Sequence, residues 1–143
     1  VGISILPDPY TLDINGLKII LSHGDFLCTD DVDYIEFRDE VRSEEWQKNF
    51  LSKNINERNK IAKSLRADST DATSEKSFEI TDVNLGTVNN FIQENKPHIF
   101  IHGHTHRPKI HEHGSCKRIV LGDWDKSGWM ASIEGDSYNL QKI

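Results

Sequence analysis

The sequence predicts an α/β fold, one domain interrupted by a helical insert, and three observations carry that expectation. A strong two-residue hairpin turn, Asn15-Gly16, separates an alternating run from a β-branched-rich apolar run. From Asp30 the apolar residues fall at helical rather than strand intervals for about 40 residues. After Leu85 comes the order helix, short apolar strand, histidine-rich loop, which places that loop at a strand's C-terminal end, where open α/β sheets build their sites.

The elements follow in order. Thr11-Leu12-Asp13-Ile14 alternates apolar with polar and forms the first strand; Leu17 to Ser22 forms its antiparallel partner, which ends at His23. In the insert, placed at about 32–77, Val32, Ile35, Val41, Trp46, Phe50, Leu51, Ile61 and Leu65 recur at helical spacing. Asn56 reads as the N-cap of the segment running through Lys63 to Arg66, and the polar tract Asp68 to Ser77 reads as a loop or short helix. Leu85, Val88, Phe91 and Ile92 mark an amphipathic helix that starts after Asp82 or Asn84 and is closed by Pro97. It feeds into the strand Ile99-Phe100-Ile101. Two hairpins finish the chain, around His113-Gly114-Ser115 and around Gly135-Asp136. There is no internal repeat and no low-complexity tract.

Composition narrows the function classes. With 143 residues, 36% hydrophobic and 28% charged, the chain suits one ordinary soluble domain. No apolar run approaches the roughly 18 residues that cross a bilayer, and the opening Val1-Gly2-Ile3-Ser4 lacks the plan of a secretory signal, so a cytosolic location is expected. Cys28 and Cys116 lie far apart, without CxxC spacing, and read as buried or idle thiols. A net charge of −6 disfavours nucleic acid as a partner, although Lys53, Arg58, Lys60, Lys63 and Arg66 cluster and leave room for a local anion site or a solvated helix face. The chain opens on valine and its one methionine is Met130, so a segment upstream is expected.

The chemistry concentrates in His102-Gly103-His104-Thr105-His106-Arg107-Pro108, three histidines at alternating positions directly after an apolar strand. Imidazole is a common ligand of catalytic metals, and the glycine of a GHxH turn lets two rings converge. An adventitious surface site or structural histidines would give the same letters. A second strand-end histidine, in Ser22-His23-Gly24-Asp25, and the downstream Val120-Leu121-Gly122-Asp123-Trp124 shift the balance toward a metal centre.

With these motifs the chain resembles the calcineurin-like metallophosphoesterases, whose late motifs are a strand-end His-Gly and a Gly-His-x-His. Within that superfamily it resembles the UDP-2,3-diacylglucosamine hydrolases of lipid A biosynthesis. The words that carry the closer resemblance are His23 through Asp31, Ile61 through Ser69, Asp82-Val83-Asn84, His102 through Pro108, and Leu121-Gly122-Asp123-Trp124. The resemblance implies a four-layer αββα sandwich with a helical cap, of which this chain supplies the C-terminal part. It implies two divalent metal ions, with manganese the usual one: His23 and His104 on one, His106 on the other, and His102 on neither. It implies substrate contacts from Asp31, Ser69, Thr73, Lys76 and His104, with Arg66 a weaker candidate. Thr73 departs from the family, which often carries asparagine there and so offers both a donor and an acceptor.

The implied reaction is hydrolysis of the pyrophosphate bond of UDP-2,3-diacylglucosamine to UMP and 2,3-diacylglucosamine 1-phosphate, at the cytoplasmic face of the inner membrane. No general acid is identified. The superfamily's early motifs DxH and GNHD or GNRD occur nowhere in the chain. Three imidazoles without carboxylates compensate poorly for two divalent charges, so the 143 residues are expected to be inactive alone, the remaining ligands lying in an N-terminal part of the same enzyme. The insert has a purpose in this scheme, since Trp46, Phe50, Leu51, Ile55, Ile61 and Leu65 can line a groove for acyl chains, each buried CH₂ being worth about 0.8 kcal/mol. Two alternatives stand beside it: another two-metal phosphoesterase acting on a nucleotide or phosphodiester, and a non-catalytic metal-binding domain.

Overall fold

Asn15 and Gly16 both take positive φ, 54° and 82°, the combination a two-residue hairpin needs, and Asp13 accepts the Gly16 N–H at 3.1 Å. The turn joins β1 (Tyr10–Ile14) to β2 (Leu17–Ser22) in the expected antiparallel register. The computed structural model describes residues 2–125, 127–135 and 137–143; within them, the side chains of 70–75 lie outside the description. The chain divides into two units, Val1–Leu27 with Val83–Ile143, and Cys28–Asp82.

The first unit is built on a five-stranded mixed sheet of order β1-β2-β3-β5-β4, where β3 is Ile99–His102, β4 is Lys109–His113 and β5 is Cys116–Val120. The three central strands β2, β3 and β5 run parallel, and β1 and β4 lie antiparallel at the edges. Side chains alternate across a strand, so adjacent residues serve opposite faces. On one face Ile20 and Phe100 pack with Leu27, Cys116 and Val88, the last from helix α4 (Leu85–Asn95). On the other face Ile19, Ile99 and Ile119 pack with Ala131, Ile133, Tyr138 and Leu140 of a hairpin, β6 (Trp129–Glu134) and β7 (Ser137–Lys142). Helix, sheet and hairpin are thus layered, as the α/β expectation required. Asn84 caps α4 by accepting the Thr87 N–H, and Lys96, at φ 49°, ends it before Pro97.

The second unit is helical: α1 (Val32–Arg42), α2 (Glu44–Ser52) and α3 (Ile55–Glu75). Asp31 and Ser43 cap the first two. The third departs from the sequence reading at its cap. Its cap is Asn54, not Asn56: the Asn54 side chain accepts the N–H groups of Asn56 and Glu57, and Glu57 returns a bond to the Asn54 N–H, a reciprocal capping box. The tract from Asp68, read as a loop or short helix, is helical and continues α3 to Glu75, because it contains neither glycine nor proline and keeps good helix formers in Ala72 and Glu75. Polarity interrupts the apolar period without interrupting the helix. No residue of α1 or α2 is fully buried, and Trp46 and Phe50 stack at 5.0 Å on α2. Among the described residues no helix is long and apolar enough to cross a membrane.

Candidate functional site

Ser22 and His102 are register partners at the ends of the adjacent parallel strands β2 and β3, so both histidine-bearing turns leave the same edge of the sheet. The Gly103 N–H donates to the His23 carbonyl at 3.1 Å and fastens one turn to the other. The rings of His23 and His104 meet edge to face, centroids 5.0 Å apart, with His23 Nε2 and His104 Nδ1 separated by 3.2 Å. Two nitrogens each about 2.1 Å from one cation lie roughly 3.0–3.4 Å apart at right-angled or tetrahedral geometry. The pair therefore fits as two ligands of a single ion. With a proton on one of the two nitrogens, the same contact is a hydrogen bond.

Three features hold this geometry. Asp8 Oδ1 accepts from the Ser22 hydroxyl at 2.5 Å and from the His23 N–H at 3.2 Å, while Ser22 Oγ accepts from the Gly24 N–H at 3.0 Å. His104 and His106 sit at φ 63° and 53°, the left-handed region that residues with a Cβ rarely occupy and that clusters at functional sites. Gly24, at φ 95°, lies so close to the His102 ring that a Cβ would come within 2.6 Å of its Nδ1.

His102 itself is fully buried. Its Nε2 lies 3.0 Å from Arg118 Nη1, and its Nδ1 3.1 Å from the Gly103 carbonyl. A guanidinium only donates, so Nε2 accepts and Nδ1 carries the proton. The first histidine of the triplet thus belongs to the core. Arg118, also buried, uses Nε to donate to His113 Nε2 at 3.2 Å, leaving His113 Nδ1 to donate to Asn89 Oδ1 at 3.1 Å. Burial, and then the Arg118 charge, hold the His113 pKa below its ordinary 6.5. Burial pushes the Cys116 thiol up to about 11, which keeps it protonated and inert. Gly122 gives the Leu121-Gly122-Asp123-Trp124 motif a packing role, since a side chain there would run into the Trp129 indole.

His106 is exposed, and among the described residues no group of three or more His, Cys, Asp or Glu is placed to hold a metal ion. The chain brings two of its three candidate ligands together.

The other candidates lie in the helical unit. Asp31, Ser69 and Lys76 line a cavity of about 240 Å³ with Asp33, Tyr34, Phe37, Leu65 and Asp68. Lys76 Nζ reaches Asp31 Oδ1 at 2.5 Å and Asp33 Oδ2 at 3.7 Å. Asp31 is buried and accepts the Tyr34 N–H at 3.1 Å as the cap of α1. The Thr73 side chain lies outside the described residues, and Arg66 is exposed on α3. Sequence reasoning did not single out the aromatic wall of Tyr34 and Phe37, although their i, i+3 spacing carries it, nor Asp8 and Arg118, which act only through three-dimensional contact.

Residues 3–108 match the calcineurin-like phosphoesterase family. The chain is 42% identical over 143 residues to the UDP-2,3-diacylglucosamine hydrolase of Serratia proteamaculans (strain 568), covering 97% of this chain and 60% of that protein. To the proteins of the same name from Chromohalobacter salexigens and Escherichia coli O127:H6 it is 40% and 38% identical, covering 95% and 97% of this chain and 57% and 60% of those proteins. It thus spans about 60% of the length of the curated relatives it matches.

Proposed function

The chain belongs to the calcineurin-like phosphoesterase family, and from that premise we propose that its protein hydrolyses the pyrophosphate bond of UDP-2,3-diacylglucosamine, giving UMP and 2,3-diacylglucosamine 1-phosphate. The observation that carries the phosphoesterase part is the 3.2 Å approach of His23 Nε2 to His104 Nδ1 at the ends of two adjacent parallel strands. The substrate is suggested by relatives that bear this activity in their names.

His23 and His104 would hold one divalent cation and His106 would contribute to a second, with manganese the ion expected. Such ions supply an activated water near neutral pH and neutralise charge on the phosphoryl oxygens. The residues of this chain do the rest of the work assigned here. Asp8 and Ser22 fix the backbone of the His23 turn, and the left-handed backbone of His104 and His106 would set the direction in which their imidazoles leave the chain. In the helical unit, read as a cap at about 32–77, the Lys76 ammonium suits a phosphate or sugar oxygen and the Ser69 hydroxyl adds a donor. Thr73 is assigned to the same set. Tyr34, Phe37 and Leu65 give that cavity an apolar wall suited to an acylated sugar.

Imidazoles alone bring no negative charge to balance two divalent ions, so turnover is assigned to a protein that adds carboxylate ligands to these histidines. Lys60, Lys63 and Arg66 on α3 suit an anionic membrane surface, which supports peripheral association with the inner membrane. The test is UMP release from UDP-2,3-diacylglucosamine with manganese, using protein from the complete reading frame. Manganese-dependent release that is lost in His104→Ala supports the assignment. Hydrolysis of simple phosphodiesters without UMP release moves the protein to a general phosphoesterase.

A further inference from the structure

The buried pair Arg118–His102 lies outside the chemistry proposed above, yet it touches both turns that bring His23 and His104 together. His102 packs its ring on Gly24, the residue after His23, closely enough that no side chain fits at that position. Through Nδ1 it binds the carbonyl of Gly103, the residue before His104. Its own carbonyl accepts the Leu121 N–H at 2.7 Å, which ties the end of β3 to the segment after β5. The ring can serve these contacts in one orientation and one tautomer, and the Arg118 Nη1–H that donates to Nε2 selects both. Arg118 is in turn oriented by its Nε bond to His113, which is anchored to Asn89 on α4.

We propose that Arg118 is a positioning residue for the metal centre: by fixing the tautomer and orientation of His102, it sets the spacing of the His23 and His104 turns and thereby the affinity of that pair for a divalent cation. This rests on the assignment of His23 and His104 as ligands. A buried arginine serving packing alone would stabilise the core without governing metal affinity. Outer partners that orient ligands characteristically change affinity by about 10–100-fold when removed.

The test is direct titration of Mn²⁺ into protein from the complete reading frame, followed by calorimetry without substrate. Arg118→Met is compared with Cys116→Ala, a truncation in the same strand that thins the core but leaves the His102 contacts in place. At a temperature where both variants are folded, Arg118→Met is expected to weaken Mn²⁺ binding about tenfold or more, and Cys116→Ala to leave it within about twofold. Unchanged affinity in folded Arg118→Met overturns the proposal. Should that variant not fold, long-range ¹H–¹⁵N spectra of the unaltered protein decide: His102 protonated at Nδ1 supports the mechanism, and protonation at Nε2 overturns it. The two readings fail separately. Manganese binding that depends on Arg118 in a protein that releases no UMP removes the substrate assignment alone, whereas UMP release with Arg118-independent binding removes this proposal alone.

Discussion

The Asp31 carboxylate accepts a 2.5 Å bond from the Lys76 ammonium and, from the same oxygen, caps α1 through the Tyr34 N–H. One group thus closes the cavity of the helical unit and starts its first helix. Breaking its two roles apart gives a prediction. Asp31→Ala removes the cap and leaves Lys76 without its closest carboxylate, and should destabilise the helical unit by about 1–2 kcal/mol. Lys76→Ala spares the cap but leaves the buried Asp31 carboxylate without its ammonium, so it should cost about 1–3 kcal/mol without fraying the first turn of α1. Hydrogen exchange of the α1 amides reads the difference. Equal protection in the two variants would show that the cap contributes nothing.

At His104 the backbone and the imidazole make separate demands. The left-handed φ of 63° is tolerated best by Gly, Asn and Asp, and poorly by β-branched residues. His104→Asn should therefore melt close to the unaltered protein while losing the paired nitrogen and with it divalent metal binding. His104→Val should lose the metal and about 1–3 kcal/mol of stability as well. Thermal denaturation without metal, set beside manganese titration, separates the two effects, and a His104→Val protein as stable as His104→Asn would remove the strain argument.

His113 makes stability depend on pH with a definite sign. Its folded pKa lies below 6.5, so the folded state holds the imidazole neutral and binds fewer protons than the unfolded chain as the pH falls. The stabilisation is complete above 6.5 and is lost as the pH falls from 6.5 toward the depressed value. Of the groups facing it, Arg118 of β5 repels the imidazolium, while His111 of β4 lies with ring centroids 6.4 Å away and Asn89 of α4 accepts from Nδ1. His113→Gln should flatten the fall in denaturation midpoint between pH 6.5 and 5 relative to the unaltered protein. A parallel pair of curves would mean that His113 carries no linkage.

The fold and the paired histidines were legible because they rest on local signals. Asn15-Gly16, the helical period of Leu85 to Ile92 and the short strand before His102 each dictate their own geometry, and two strand-end histidines converge once their strands lie side by side. What stayed hidden is contact between distant segments or balance between close competitors. Nothing in the sequence around Arg118 announces that it will select a histidine tautomer, and Asp8 lies 15 residues from the N–H it accepts. The misplaced cap of α3 has a different origin: Asn54 and Asn56 are equally good caps on composition, and Glu57, three residues after Asn54, was the signal that decides between them.

Gly24 tests how tightly the two turns are joined. A methyl group there meets His102 Nδ1 at 2.6 Å and its Cβ and Cγ at 2.9 Å, on a backbone already at φ 95°. Neither neighbour can yield, because His102 is held by Arg118 and Gly103, and Gly24 donates to Ser22. Gly24→Ala should therefore cost about 2 kcal/mol or more, since overpacking and an unfavourable φ act together. Gly114→Ala is the control, because its φ of 59° is also positive but no atom lies within 4 Å of the added carbon. That variant should lose only about 1 kcal/mol, the backbone part of the effect. Urea denaturation of the two proteins compares them. If Gly24→Ala costs no more than Gly114→Ala, the His102 ring moves freely beneath the turn, and the rigid joining of the His23 and His104 loops does not hold.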